Sequence, residues 1–401
     1  MKKTALALLL CALIALCLNG YANTKDGIPL SKVDSYYEVP NYSFTEYIIS
    51  QNGKHFIDAL NTVTNNMEIL VRDTANESFK PIALPSKEHS YGFAFFSGIT
   101  QNNLIVFPYR YNETQMLALF FDEFGELVNE IIMPNKYDLI LGFSQYLLAS
   151  KILYVDDTKI EPFYQSFARI DFDGNIQWEY TCDLVDLNVF DCVETKEGYI
   201  MCGAAKLKND IFEGVVLFLN REGKIEWTYI FDYQQLYTYF RNLDVSESGN
   251  IAIAGYSSID NAAERYWNFI PHLIVLDKSG NVITEKSYLL QSLDNYRFFN
   301  VTYVGERIVL TGANIEGPYE QVKCLVVETD TMGNVMYAAE KNLFDKRYNV
   351  RMGFLHTTAG MIIWGGYEDR TAEQEKYVSF IANLDELPST EMQTSRIKEA
   401  E

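Results

Sequence analysis

Ala168-Arg169-Ile170-Asp171-Phe172-Asp173-Gly174-Asn175-Ile176-Gln177-Trp178 is the stretch from which the fold can be read. An apolar strand runs into an aspartate, a glycine-bearing turn follows, and a second strand leads to tryptophan. Gly and Asn stand where a tight hairpin needs positive φ. The same element returns as Leu217-Phe218-Leu219-Asn220-Arg221-Glu222-Gly223-Lys224-Ile225-Glu226-Trp227, and again as Leu273-Ile274-Val275-Leu276-Asp277-Lys278-Ser279-Gly280-Asn281-Val282. Weaker copies turn at Asn76, Gly125, Gly333 and Glu386. By subtraction the successive turns are 49, 49, 49, 57, 53 and 53 residues apart.

A second hairpin alternates with the first. Its best copy is Ser246-Glu247-Ser248-Gly249-Asn250-Ile251-Ala252-Ile253-Ala254-Gly255, and others turn near Gly53, Asn103, Tyr146, Gly198, Gly305 and Gly360. Alternating apolar residues follow each turn, as in Arg307-Ile308-Val309-Leu310-Thr311-Gly312, which is strand periodicity. Two interleaved series of seven turns define four strands in about 50 residues, seven times over. One such unit cannot bury both its faces alone. Stacked radially, each sheet covers its neighbour, and ring closure protects the edges. The reading is therefore all-β: a seven-bladed β-propeller of four-stranded antiparallel blades across residues 31–392. Either 31–40 or 387–392 is expected to complete the last blade, and the polar tail 393–401 is expected to fray.

The blade pattern resembles the PQQ-like, quinoprotein-type propeller repeats of bacterial envelope and secreted proteins. The residues that carry the resemblance are Asp171-x-Asp173-Gly174-x-x-x-Trp178 and the matching Gly223-x-x-x-Trp227. Two blades hold the Trp, so the resemblance implies architecture and envelope location rather than one activity. That group includes cofactor-dependent dehydrogenases and non-enzymatic assembly scaffolds.

The first 22 residues read as a secretory signal peptide. Lys2 and Lys3 give a positive start, residues 6–18 are apolar, and Gly20-Tyr21-Ala22 is a small-x-small cleavage signal. Residues 23–30 are a linker. Secreted or periplasmic location follows as the expectation. A lipoprotein anchored through Cys17 is disfavoured, because Leu16 before it is not small. No later segment is apolar enough to span a membrane. The formal charge of −21 repels phosphate backbones, so nucleic acid is a poor partner. Apolar residues at 48% suffice for a core and argue against disorder. A monomer is expected.

Cys182, Cys192, Cys202 and Cys324 remain after the signal, without CxxC spacing. Cys192 and Cys202 could face each other across one hairpin as a disulfide, or stay buried thiols. The four histidines, His55, His89, His272 and His356, fall in separate blades without metal-ligand spacing. HExxH and GxSxG are absent. Asp171 to Asn175 looks like a calcium loop but lacks its remaining ligands, and a hairpin explains the same residues. No metal and no cofactor is expected.

Candidate ligand contacts come from topology. The two tight turns of each blade lie on one face. The longer connections, such as 156–166, 259–268 and 367–376, lie on the other, where binding usually resides. An aromatic residue precedes nearly every predicted inner strand: Tyr42, Tyr91, Tyr137, Phe190, Tyr239, Tyr296 and Tyr348. Arg241, Arg297, Arg347, Asp138 and Asp345 stand alongside, and Trp267 sits on the longest insertion. Such a ring suits a protein, peptide or glycan ligand. The competing reading is that these aromatics wedge between blades. The functional expectation is an exported, non-catalytic binding propeller. The alternative is a propeller enzyme acting on carbohydrate, a glycoside hydrolase or lyase with acids in the channel mouth.

Overall fold

A computed structural model describes the strands named below, together with residues 122, 125–126, 133, 146, 162, 171–175, 186–187, 195–197, 221–224, 232–234, 236, 246–250, 277–281, 296, 305–306 and 331–334. The described residues are all-β, and none is helical. They form antiparallel sheets of consecutive strands. β1 (Tyr37–Pro40) is followed by a sheet of β2 (Tyr42–Ile49), β3 (His55–Asn61), β4 (Asn66–Arg72) and β5 (Phe79–Ile82). β6 (Gly98–Ile99), β7 (Ile105–Arg110), β8 (Met116–Phe121) and β9 (Leu127–Ile132) make the next. Then come β10 (Leu139–Gly142), β11 (Leu147–Tyr154), β12 (Phe163–Ile170) and β13 (Ile176–Val185). β14 (Asn188–Glu194), β15 (Gly198–Lys208), β16 (Ile211–Asn220) and β17 (Ile225–Phe231) repeat the pattern. So do β18 (Tyr237–Val245), β19 (Ile251–Ile259), β20 (Asn268–Leu276) and β21 (Val282–Leu290). β22 (Arg297–Val304), β23 (Arg307–Ala313), β24 (Gln321–Asp330) and β25 (Val335–Asp345) follow. β26 (Tyr348–Thr357), β27 (Gly360–Asp369) and β28 (Lys376–Asn383) complete the series, with β29 (Ser389–Glu391) and β30 (Ile397–Glu399) beyond. Up-and-down sheets in this succession are those of a propeller-type fold.

The chain divides into two compact units. One holds the sheets β2–β5, β6–β9 and β10–β13, and the sheet of β26–β28. The other holds the sheets β14–β17, β18–β21 and β22–β25.

Burial explains why the sequence reads as it does. The inner and middle strands are buried on both faces, as in β14 and β16, so they are nearly continuous apolar runs. The outer strand β17 alternates instead, with Glu226, Thr228 and Ile230 exposed. Within the second unit, adjacent sheets share one core. Ala252, Leu273 and Val275 of one sheet meet Phe298, Leu310 and Leu325 of the next. In the first unit, Val106, Phe120 and Ile131 likewise pack with Leu147, Ala149 and Ala168.

The outer hairpins share one turn. Asp171 Oδ1 accepts the amides of Asp173 and Asn175, at 3.0 and 2.8 Å. Gly174, at φ +87°, donates its amide to the Asp171 carbonyl. Asn220, Asp277 and Asp330 make the same pair of side-chain bonds before Gly223, Gly280 and Gly333. The repeat seen in the sequence is thus an aspartate or asparagine that holds a hairpin closed, three residues ahead of a left-handed glycine. Gly198 serves differently. Its φ is not positive, but an added Cβ would stand 1.9 Å from the Leu219 carbonyl oxygen, so only glycine fits the strand crossing.

The two ends of the chain do not behave alike. β1 pairs antiparallel with β28, Tyr37 opposite Ile381 and Pro40 opposite Val378, so of the two expected candidates it is the N-terminal segment that adds the fourth strand. The C-terminal stretch, expected to fray, instead contains β30. There Ile397 is buried in the core of the second unit, while β29 borders β25. One apolar residue in a polar tail was enough to anchor it.

The disulfide open to the sequence reading does not form. Cys192 is registered opposite Met201, and Cys202 opposite Asp191. The offset of one residue sends the two sulfurs to opposite faces of the sheet. Cys182, Cys192, Cys202 and Cys324 are all buried thiols outside any disulfide. Burial pushes the thiols of Cys192, Cys202 and Cys324 up, which keeps them protonated and inert.

Candidate functional site

In the second unit the inner strands β14, β18 and β22 each carry a bulge, at Phe190, Arg241 and Phe299. A bulge turns its own side chain out of the sheet's regular alternation and kinks the strand. Opposite each stands a glycine of the second strand. Cβ atoms added at Gly203, Gly255 and Gly312 would lie 1.9, 2.3 and 2.0 Å from the carbonyl oxygens of Asn188, Tyr239 and Arg297. The glycines admit the bulged backbone, and the bulges aim three large side chains to the strand-start end of the sheets.

Those side chains assemble an aromatic and guanidinium ladder. The Arg241 guanidinium lies 4.5 Å from the Phe190 ring centre, 5.6 Å from Tyr239 and 5.4 Å from Tyr256. Its Nη2 donates to the Tyr256 hydroxyl at 2.8 Å. The Arg297 guanidinium lies 4.0 Å from the Phe269 ring, 5.3 Å from Tyr256 and 5.8 Å from Phe299. Both arginines are 4% exposed, so each cation is taken from water and set against π faces, where such contacts are strongest. Tyr239 and Phe212 stack with ring centres 5.9 Å apart and 28° between planes, and both are half-buried. Phe269, also half-buried, meets Tyr256 edge to face. The partly open rings therefore sit above a rigid, cation-braced floor.

The structure brings together part of the predicted set. Phe190, Tyr239, Arg241 and Arg297 join the ladder. Tyr296 lies in the shared core, 1% exposed, and its hydroxyl donates to Glu340 at 2.7 Å. Tyr42 and Tyr348 open β2 and β26, with side chains outside what is described. Tyr91, Tyr137, Arg347 and Trp267, and Asp138 beside them, lie outside the described residues. Phe212, Tyr256, Phe269 and Phe299 were not anticipated. A usable signal was present for two of them: Phe212 and Phe269 are each the second residue of a third strand.

Acids on the inner strands have structural duties. Asp191, fully buried, accepts from Asn242 Nδ2 at 2.6 Å and from the Leu243 amide at 2.8 Å. Asn242 Oδ1 in turn accepts from Asn300 Nδ2 at 3.1 Å and from the Val301 amide at 2.8 Å. Asp244 accepts the Tyr303 amide at 2.7 Å. Each of these side chains ties one inner strand to the backbone of the next. Among the described residues no group of three His, Cys, Asp or Glu is placed to hold a metal ion. No helix among them is long and apolar enough to cross a membrane.

A second buried polar chain crosses one whole sheet. Thr238 Oγ1 and Ser257 Oγ are 2.7 Å apart, Ser257 Oγ is 2.7 Å from His272 Nε2, and His272 Nδ1 is 2.8 Å from Ser287 Oγ. Phe231 and Tyr233 cover the imidazole. Burial holds its pKa down at about 3, so it is neutral, with one nitrogen donating and the other accepting. His272 is fully enclosed, which makes this chain a packing device and not a catalytic one.

Comparison with protein-family models finds no match, and comparison with curated proteins finds none. Solved structures do share similarity. The AfRom2 CNH domain is 10% identical, covers 86% of this chain and 95% of its own, and gives a TM-score of 0.47. Sqt1 from Chaetomium thermophilum is 11% identical over 87% of this chain and 98% of its own, with a TM-score of 0.46. A subtype N10 neuraminidase-like protein of A/little yellow-shouldered bat/Guatemala/060/2010 is 9% identical over 72% of this chain and 93% of its own, with a TM-score of 0.43. None of these names is that of a PQQ-like protein.

Proposed function

We propose that this chain is an exported, seven-bladed propeller of the PQQ-like type that binds a protein, peptide or glycan without transforming it. Residues 1–22 would be removed on export, and the protein would act as a monomer outside the cytoplasm. The contact surface would be the end of the sheets where the inner strands begin and the long connections lie. The observation that carries this reading is the half-buried platform of Tyr239, Phe212 and Phe269, braced by Arg241 and Arg297. Flat aromatic faces held rigid lose little entropy on binding and suit sugar rings or extended peptides. Phe190 and Tyr296 would position the platform from below rather than touch the ligand. Binding is favoured over carbohydrate cleavage because Asp191 and Asp244 already serve the contacts between sheets.

The test is a glycan array and a random-peptide array probed with residues 23–401 and with Tyr239→Ala and Phe212→Ala. Capture by the parent, weakened about ten-fold or more in either variant, would support the site. Capture that ignores both substitutions would move the site elsewhere. Turnover of any captured glycan would replace the binding reading with the enzymatic one.

A further inference from the structure

β9 (Leu127–Ile132) is the last strand of its sheet, and among the described residues its ladder runs to β8 alone. Its other side presents backbone donors and acceptors to a further strand. Such edges are commonly guarded by a lysine, a proline or a covering segment. In the second unit the chain itself supplies the cover, with β29 on β25 and β30 on β21. β9 contains neither lysine nor proline. Five of its six residues are exposed and only Ile131 is buried, so the strand meets solvent along nearly its whole length. Leu127 is 37% exposed, Val128 50% and Ile132 61%. The outer strands β13 and β17 each show one large apolar side chain among the described residues, Ile176 and Ile230. A bulge sets Val128 out of register, after which 129–132 pair regularly with 117–120. That run is longer than the three-residue pairings that hold β29 and β30.

The charge along this edge has one sign. From 111 to 135 the chain carries Glu113, Asp122, Glu123, Glu126 and Glu130, and no lysine, arginine or histidine. Glu126 and Glu130 are exposed beside the apolar side chains. The turn of the following sheet brings Asp173, also exposed, to the same border, where a Cβ at Gly174 would lie 3.1 Å from Ile131 Cγ2. We propose that the outer edge of β9 docks an extended segment of a partner protein, alternately basic and apolar, as a fifth strand. Backbone bonds supply the pairing, Leu127, Val128 and Ile132 meet the apolar side chains, and Glu126, Glu130 and Asp173 receive the basic ones. The edge shares no residue with the platform of Tyr239 and Phe212, so the two readings stand or fall separately.

The experiment uses the full chain and three short fluorescent peptides, read by anisotropy. One alternates lysine with valine, one glutamate with valine and one lysine with serine. The lysine–valine peptide is expected to bind about ten-fold or more tighter than either of the others. Added salt should weaken it, and amide exchange at 129–132 should slow when it is present. Ile132→Lys and Glu130→Lys change exposed positions and leave the core intact, and each should weaken that binding about ten-fold. Failure of the lysine–valine peptide to bind overturns the site. So does equal binding of all three peptides, or binding that ignores both substitutions. Self-association of the parent protein that Ile132→Lys abolishes overturns the partner segment and makes a second copy the occupant.

Discussion

His272 shows how one residue can set the acid limit of the fold. Its pKa is about 3 in the folded chain because burial excludes the imidazolium, against an ordinary value of 6.5. Above pH 6.5 both states are neutral at this site and the full stability is present. As pH falls below 6.5 the unfolded chain takes up a proton that the folded chain refuses, and stability drains away toward pH 3. One unit of difference is worth about 1.4 kcal/mol, so the loss by pH 4 is roughly 3 kcal/mol. Urea unfolding of the parent and of His272→Gln at pH 7 and pH 4 checks this. The parent should lose roughly 3 kcal/mol more over that interval than the variant, and equal losses would contradict the neutral buried ring. The exposed aspartates of the turns are held in the charged form rather than the neutral one, and the stabilisation they give is likewise lost as pH falls. Hydrogen bonds from the side chain and amide of Asn281 hold Asp277 below the usual carboxylate range, so that carboxylate keeps its charge in mild acid.

At the scale of elements, the bulged inner strand and its facing glycine act as one device. Gly255→Ala would drive a Cβ into the Tyr239 carbonyl, and the strand has to shift to admit it. The expected cost is about 1–3 kcal/mol in chemical unfolding. Loss of the Arg241 contact to Tyr256 should show in the near-ultraviolet spectrum. Asn242→Ala removes both an acceptor for Val301 and a donor for Asp191 within the core. It should cost about 2–4 kcal/mol, with strong coupling to Asp191→Ala in a double-mutant cycle.

How much of this was legible follows the range of the interaction. Asp171, Gly174 and Asn175 advertise their turn because every bond in it spans six residues or fewer, so sequence spacing is enough. Asp191 gives no such notice, since its partners are some fifty residues away and the bond depends on one sheet stacking on another. The same holds for Tyr256 and Phe269, which meet Arg297 only once the sheets pack. Cys192 and Cys202 looked like cross-strand neighbours because spacing does not report register, and one residue of offset reverses the face. Tyr239 was found because it occupies a repeated position, whereas its use beside Phe212 is a matter of three-dimensional fit.

For the whole molecule, the proposed ring has a direct readout. Averaged electron micrographs viewed down the axis should show seven sectors, and six or eight would break the assignment of loops to faces. Mass spectrometry of the exported protein should find Asn23 as its first residue if the signal reading holds, whereas a lipid on Cys17 would replace it. The surplus of acidic residues, 54 against 33 basic, predicts that heparin and DNA columns do not retain the protein even at low salt.

The pairing of β1 with β28 carries a consequence for how the protein is made. Tyr37 to Pro40 leave the ribosome early, yet their hydrogen-bonding mates at Val378 to Ile381 come more than three hundred residues later. Until then β1 lacks its partner strand, and its amides stay open to water or to a wrong neighbour. Contacts so distant in sequence form slowly. That sheet is therefore completed by a stitch rather than a continuation, and the interval before the stitch is when a chaperone, or a misplaced strand, finds this protein most receptive.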